Sequence, residues 1–379
     1  MSNMRSTLLL QLSLAFTLVL LPAKANGQNF ALISDQAARA IHSKANSPAG
    51  QATVASAMTY LNRSPNALPV LHIAGKLPGD PDYVKSQQAA VDLPAMTDLA
   101  LAFRLTGDRK YLDAATRFIK AWASNYQTAL NPIDDQDFYY FFVANDLVNS
   151  DLPPDVQALT KNFCQQFAQA YLSEVEKAPP PGSPEADPKN PIYKGPNKPD
   201  PTRINNFQSH RLKLGALAAF AAGDDGLVQR AHAAYERQIA INIRPDGTVI
   251  DFEDRDALHY VVYDLEPLLL TTVAAHSHGQ DWYYYKSPTG SFLDDAVNWL
   301  IPYAEGEKTH QEFVNSHVPF DQTRAKAGVK GFSGPWNPKE SATVFAYASV
   351  VNSRYRKTLA DIEAHTGAKP PNFMALAFE

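Results

Sequence analysis

Apolar positions recur three and four residues apart over long stretches of this chain, and the strict alternation of a half-buried strand is nearly absent. Three stretches share one design: LALAFRLTGDRKYLDAATRFIKAWASNY from Leu99, LGALAAFAAGDDGLVQRAHAAYERQIA from Leu214, and LLLTTVAAHSHGQDWYYYKSPTGSFLDDAVNWLIPYA from Leu268. Each reads as an apolar helix, a Gly-Asp or Gly-Gln-Asp turn, and a second, amphipathic helix. Glycine ends the first helix because it accepts left-handed backbone at the C′ position. So short a turn folds the second helix back antiparallel to the first. The pattern predicts an all-α chain of antiparallel helical hairpins, an (α/α) toroid or incomplete α/α barrel whose inner helix ends line a cleft. A solenoid is the alternative, although the copies are too divergent for a named repeat array.

Two stretches interrupt this pattern. Ala178 to Pro201, APPPGSPEADPKNPIYKGPNKPDP, is too rich in proline to be helical and reads equally as a linker or as a binding loop. Gly306 to Pro338 is irregular and basic, with His310, His317, Arg324, Lys326 and Lys330, which suits either an acidic ligand or a solvated loop.

The amino terminus changes the picture of where the chain works. Arg5, the apolar run Leu8 to Leu21 and Ala23-Lys24-Ala25 read as a signal peptide over residues 1–25, leaving residues 26–379 as one catalytic domain, periplasmic or secreted. The apolar run is short for a membrane span, so no membrane association is expected after cleavage. The formal charge of −5 becomes more negative once Arg5 and Lys24 leave, which argues against nucleic acid as a partner; an anionic substrate needs a local basic cleft. A monomer is expected. The one cysteine, Cys164, permits no internal disulfide and sits on an apolar helical face, where it reads as a buried hydrophobe. No zinc-spaced cluster, EF-hand loop, P-loop or Rossmann glycine pattern occurs, so neither a metal nor a cofactor is implied.

Candidate chemistry lies in two clusters. NNFQSHR starts a helix at Asn205, a natural N-cap, and places Asn206 and His210 four apart on one face beside Gln208, Ser209 and Arg211. Burying so many polar groups is unfavourable unless they are satisfied, and a ligand-facing site accounts for them. The second cluster, DFEDRDALHYVVYDLEPLL, read as one helix, puts Arg255 and His259 on one face with Tyr260 and Tyr263 on the adjoining one. An amide, a histidine, an arginine and a tyrosine without a metal suit β-elimination of a uronate. Fixed donors hold the charge that develops when the C5 proton leaves, and a tyrosine or histidine moves the protons. In mannuronate and glucuronate the C5 hydrogen and O4 depart from one side, so a single tyrosine serves both. In guluronate they lie on opposite sides, and a facing histidine is the natural base.

The runs TGDRKY from Thr106, NNFQSH from Asn205, RDALHYVVYDLEPL from Arg255 and GEKTHQEFVNSHVPFD from Gly306 resemble the alginate lyase family of α/α-toroid polysaccharide lyases. The last run is close although it carries no obvious structural demand. The resemblance implies that Asn206 neutralises the substrate carboxylate, that Tyr260 is the catalytic tyrosine, that Arg255 stands beside it, and that Lys85 loosely matches an early-chain lysine. Where that family places a histidine after the paired asparagines this chain has Phe207, and its histidine is His210. The expected catalytic set is therefore Asn206, His210, Arg255 and Tyr260. Asn205, Gln208, Arg211, His259, Tyr263, Lys85 and Gln136 are expected to bind an anionic polysaccharide, a mannuronate-rich alginate first and a glucuronate polymer second.

Two rival readings remain at this level. A glycoside hydrolase would use a carboxylate pair, for which NPIDDQDFYYFF offers Asp134, Asp135 and Asp137. A non-catalytic polysaccharide-binding protein of the periplasm would keep the fold and its aromatics and tolerate loss of Tyr260.

Overall fold

A computed structural model describes residues 29–378; the leader expected over residues 1–25 lies outside the described residues. Helices α1 (Asp35–Ala40) and α2 (Pro48–Tyr60) open the chain, and α3 (Pro81–Ala90) follows a long irregular stretch. Three hairpins come next: α4 (Asp92–Thr106) with α5 (Arg109–Asn125), α6 (Tyr139–Val148) with α7 (Pro154–Val175), and α8 (Asn206–Ala222) with α9 (Asp225–Asn242). Short α10 (Ile250–Arg255) leads into α11 (Leu258–Ser277). The chain finishes with α12 (Leu293–Ala304), α13 (Pro319–Lys326), α14 (Ala342–Val351), α15 (Arg356–Thr366) and α16 (Asn372–Ala377). Among the described residues β-pairing is limited to three isolated bridges within loops, and no helix is long and apolar enough to cross a membrane.

Helices α4, α6, α8, α11 and α14 pack in that order as an inner layer, with α2, α5, α7, α9 and α15 against its outside. Composition sorts the two layers. The inner α8 buries every residue except Phe207, whereas α5 buries a stripe through Leu112, Ala115, Ile119 and Trp122 and leaves Arg109, Lys110, Asp113 and Lys120 in solvent. Gly215 allows α8 and α7 to approach closely: a Cβ there would stand 3.0 Å from Leu172 Cδ2. The last helix returns to the first. Helix α16 packs on α2, and Lys44 Nζ donates to the Ala375 carbonyl at 2.8 Å. The N-terminal segment is pinned by Asp146, whose carboxylate accepts the backbone N–H groups of Ala31, Leu32 and Ile33 at 2.7, 2.7 and 3.0 Å.

The predicted Gly-Asp turns form as expected in two hairpins. Gly107 and Gly223 take φ of 72° and 65°, and the following Asp108 and Asp224 cap the next helices by accepting from Lys110 N and Leu227 N. The third differs. Gly279 is left-handed at φ 70°, yet α12 starts only at Leu293. Aromatic burial explains the longer connection: Trp282 packs on Phe220, His232 and Tyr235, and Tyr283 donates to Asp294 at 2.6 Å. Docking these rings into the core stabilises the extended loop over an immediate helix. The proline-rich 178–201 segment contains only short 3₁₀ turns. Asp187 and Lys189 tie it to Arg244 and Glu253, away from the inner helix ends that meet at the cleft described next.

Candidate active site

The N-terminal turns of α8 and α11 converge on one cleft of about 410 Å³. The first N–H groups of both helices are already capped, by Asp251 and Asn205 on α8 and by Glu312 on α11, so the positive charge in the cleft comes from the side chains of Lys76, Arg255 and Arg324. Asn206 and Phe207 reach the cleft from α8, His259, Tyr260 and Tyr263 from α11, and Arg255 from the end of α10. The facing wall is residues 73–78 with Tyr83 and Gln87, and a third wall comes from Val318, Phe320, Arg324, Val329 and Phe332.

Tyr260 sits between two guanidinium groups. Arg255 lies over its ring with Cζ 3.8 Å from the centroid, and Arg324 Nη1 donates to its hydroxyl at 2.9 Å. Burial holds the Tyr260 phenol above its ordinary pKa, while the charges of Arg255 and Arg324 pull it back down. Asp321 positions the arginines: it accepts from Arg255 Nη1 at 2.6 Å and lies 3.9 Å from Arg324 Nη1. Arg324 is also braced by Phe320 and Phe332, 4.4 and 4.8 Å from its Cζ. Asn206 is fully buried at the cleft wall, with its backbone N–H and its Nδ2 both directed to Asp251. His259 Nδ1 lies 3.0 Å from Glu340. That carboxylate favours the proton on Nδ1 and leaves Nε2 as the acceptor in the neutral ring. Tyr263 donates its hydroxyl to Gln136 Oε1.

A family model for alginate lyase matches residues 34–310. The chain belongs to the alginate lyase family. A polysaccharide lyase of Stenotrophomonas maltophilia is 38% identical over 87 residues, a match that spans 22% of this chain and 26% of that protein's length. An alginate lyase structure from Bacteroides ovatus superposes with a TM-score of 0.64 at 18% identity, covering 93% of this chain and 99% of that one. Alginate lyase A1-III from Sphingomonas species A1 superposes at 0.57 with 16% identity, covering 92% and 97%. A histidine variant of A1-III complexed with a tetrasaccharide gives 0.55 at 15%, again covering 92% and 97%. At these identities the solved structures speak to fold, and the fold is the α/α toroid of alginate lyases.

Within this alginate lyase fold, six of the residues singled out by sequence meet at the cleft: Asn206, Arg255, Tyr260, His259, Tyr263 and Gln136. The others are held elsewhere. His210 is buried behind Tyr263, its Nε2 3.0 Å from the Tyr263 carbonyl and its ring centroid 4.4 Å from that of Tyr263. Burial and nearby Lys213 push His210 far below the ordinary histidine pKa, so it is neutral. Asn205 is the N-cap of α8, accepting from Phe207 N at 3.1 Å. Gln208 donates to the Val175 carbonyl at 2.7 Å, and Arg211 grips Thr202 through its carbonyl and hydroxyl. Lys85 is exposed and outside the cleft; the lysine at the rim is Lys76, paired with Asp80 and Asp82. Cys164 is fully buried, and burial pushes its thiol up. Asp135 accepts three hydroxyls, from Tyr126, Thr128 and Tyr171, and Asp134 holds the backbone N–H of Ala74 at 2.7 Å. Asp134 and Asp135 shape the scaffold behind Gln136, Asp137 does not line the cleft either, and no carboxylate pair faces it.

The single helix expected through Arg255 and Tyr260 is in fact two. Asp256 is left-handed at φ 49° and separates α10 from α11. Arg255 and His259 therefore reach the cleft from different helices. The GEKTHQEFVNSH run supplies the reason. Glu312 caps α11 by accepting from Leu258 N and His259 N at 2.8 and 3.1 Å. Asn315 donates from N and Nδ2 to the Asp256 carboxylate at 2.9 Å each, and His310 Nε2 meets the Asp256 carbonyl at 2.9 Å. A run that carried no obvious structural demand in sequence wraps the break that aims Arg255 and Tyr260. Arg324, Lys76, Asp251 and Phe332 were not among the expected site residues. Arg324 had a signal, as part of the basic 306–338 stretch, and Asp251 opened the second polar cluster.

Proposed function

We propose that this chain is a polysaccharide lyase that cleaves a uronate polymer by β-elimination, acting on mannuronate-type or glucuronate-type linkages, with mannuronate-rich alginate as the principal substrate. The observation that carries this reading is the placement of Tyr260 in the cleft, its ring against the Arg255 guanidinium and its hydroxyl bonded to Arg324, with Asn206 lining the same cleft. Asn206 and Arg255 would bind the C6 carboxylate and hold the charge that spreads onto it as C5 loses its proton. Ionised Tyr260 takes the C5 proton, the C4–O4 bond breaks as the C4–C5 double bond forms, and the new tyrosine proton passes to O4. One residue then serves both transfers, which requires the C5 hydrogen and O4 to be on the same side. The inward position of His210, neutral behind Tyr263, supports that same-side course, because it leaves no base opposite Tyr260 from that histidine. None of these steps calls for a metal, and activity is expected to survive a strong chelator. The leader read from the first residues makes this an exported or periplasmic enzyme.

The test is ultraviolet absorbance during incubation with polymannuronate, polyguluronate, glucuronan and a neutral glucan. Elimination produces a double bond conjugated to the carboxylate, whereas hydrolysis does not. Absorbance should rise with polymannuronate or glucuronan, and Tyr260→Phe should abolish the rise while polymer binding persists. New reducing ends without absorbance would establish a hydrolase instead.

A further inference from the structure

Asp251 lies outside the roles assigned above, yet it holds Asn206, one of the groups that would meet the substrate carboxylate. We propose that Asp251 is the positioning residue of this site: its carboxylate fixes which way round the Asn206 amide sits, keeping one Nδ2 hydrogen of Asn206 available to the substrate. The inference rests on the lyase reading of the cleft.

Asn206 is the first residue of α8, where a backbone N–H has no acceptor within its own helix. Asp251, in the first turn of α10, supplies one. Its Oδ2 accepts Asn206 N–H at 2.7 Å, and its Oδ1 accepts one hydrogen of Asn206 Nδ2. Asp251 and Asn206 are 2% and 0% exposed, so bulk water does not compete. A primary amide has two N–H donors on one side and one acceptor oxygen on the other. An ionised carboxylate only accepts, so a flipped amide would set Asn206 Oδ1 against Asp251 Oδ1 in a buried site, an arrangement that is strongly disfavoured. The clamp therefore selects one orientation and engages one Nδ2 hydrogen, leaving the second. Arg255 Nε lies 3.8 Å from the same Oδ1, too far for a hydrogen bond, and Arg255 is held instead by Asp321 at 2.6 Å, so Asp251 acts on the site through Asn206.

Burial raises this carboxylate to about 6, while Arg255 and the two Asn206 donors favour its ionised form. Arg255 and Asp254 share its helix, Asn206 faces it from α8, and Asp264 faces it from α11. Burial and the charge of Asp251 raise Asp264 well above the ordinary carboxylate range. Asp251 is raised less, because Arg255 and Asn206 oppose its burial. Asp264 accepts from the Ser209 hydroxyl at 2.6 Å. Asp264 thus shares the buried setting without holding the Asn206 amide.

A double-mutant cycle tests this with the absorbance assay. Asn206→Ala should lower kcat roughly 10²–10³-fold, as for loss of one preorganised donor. Asp251→Asn, which removes the discrimination between amide orientations, should lower kcat about 10–100-fold with KM within about twofold. The double variant should be no slower than Asn206→Ala alone, because Asp251 acts through Asn206. Asp264→Asn should lower the melting temperature and leave kcat within about twofold, which separates positioning from general stability. Additive losses in the double variant, or an Asp251→Asn enzyme with normal kcat and only a raised KM, would overturn the positioning role. Full activity of Asn206→Ala would overturn the reading of the cleft itself. Should Asp251→Asn fail to fold, Asp251→Ser takes its place in the cycle.

Discussion

Removing Arg324 should shift the pH dependence of turnover rather than simply lower it. Its Nη1 donates to the Tyr260 hydroxyl at 2.9 Å, and its side chain is 22% exposed. A hydrogen bond to an ionised partner contributes about 1.5–3 kcal/mol, and partial exposure places this one at the low end. One pKa unit corresponds to about 1.4 kcal/mol, so Arg324→Met should raise the Tyr260 pKa by about one unit. The sign follows from the chemistry: phenolate is the reactive form, so activity climbs with pH toward the phenol's pKa. Burial already holds that pKa above the ordinary value, and Arg324 is one of two charges that oppose burial. At neutral pH the variant should lose roughly tenfold in kcat/KM, the phenolate fraction falling tenfold per unit. Its alkaline-rising limb should move up by about one unit, and the two enzymes should converge where both tyrosines are ionised. Arg324→Lys, which keeps the charge, should restore part of the shift. The assay is initial rate by ultraviolet absorbance across neutral to alkaline pH on polymannuronate. A limb at the wild-type position, or a loss equal at every pH, would refute the claim that Arg324 acts on the Tyr260 proton.

Two other measurements address the rest of the structure. His259→Ala should reduce kcat more than His210→Ala, since His259 lines the cleft while His210 packs behind Tyr263 and its loss should appear mainly as a lower melting temperature; the reverse order would restore His210 to the chemistry. Asp146→Asn should destabilise the protein by about 2–3 kcal/mol, because three N–H donors converge on that carboxylate and a carboxamide opposes them with its own N–H groups. Calorimetry should show the lower midpoint with an unchanged rate per folded molecule, and an unchanged midpoint would refute the anchoring role.

Much of the architecture was legible in the chain because it depends on neighbours in sequence. Glycine at 107 and 223 ends a helix, and the next aspartate begins another, by contacts within a few residues. An apolar stripe predicts an outer helix, and unbroken apolar character an inner one. The polar start of α8 signalled a site for the same reason: so many polar groups on a buried helix need partners. What those partners are was not legible. Gln208 and Arg211 found a carbonyl and a threonine, whereas Asn206 found the cleft.

Sequence alone thus pointed to an all-α chain of helical hairpins, with the toroid favoured, and through the family resemblance to Asn206, Arg255 and Tyr260 as one set, which the structure brings to one cleft. Tertiary structure alone decided how they are aimed. The break at Asp256 is held by Glu312 and Asn315, 54 and 59 residues away in the chain from the groups they bind. Arg324 reaches Tyr260 across 64 residues, and Asp251 reaches Asn206 across 45. Helix and turn propensities act over a few residues and cannot encode such pairings. These are selected when the hairpins close and buried carboxylates take the donors that the finished fold brings to them.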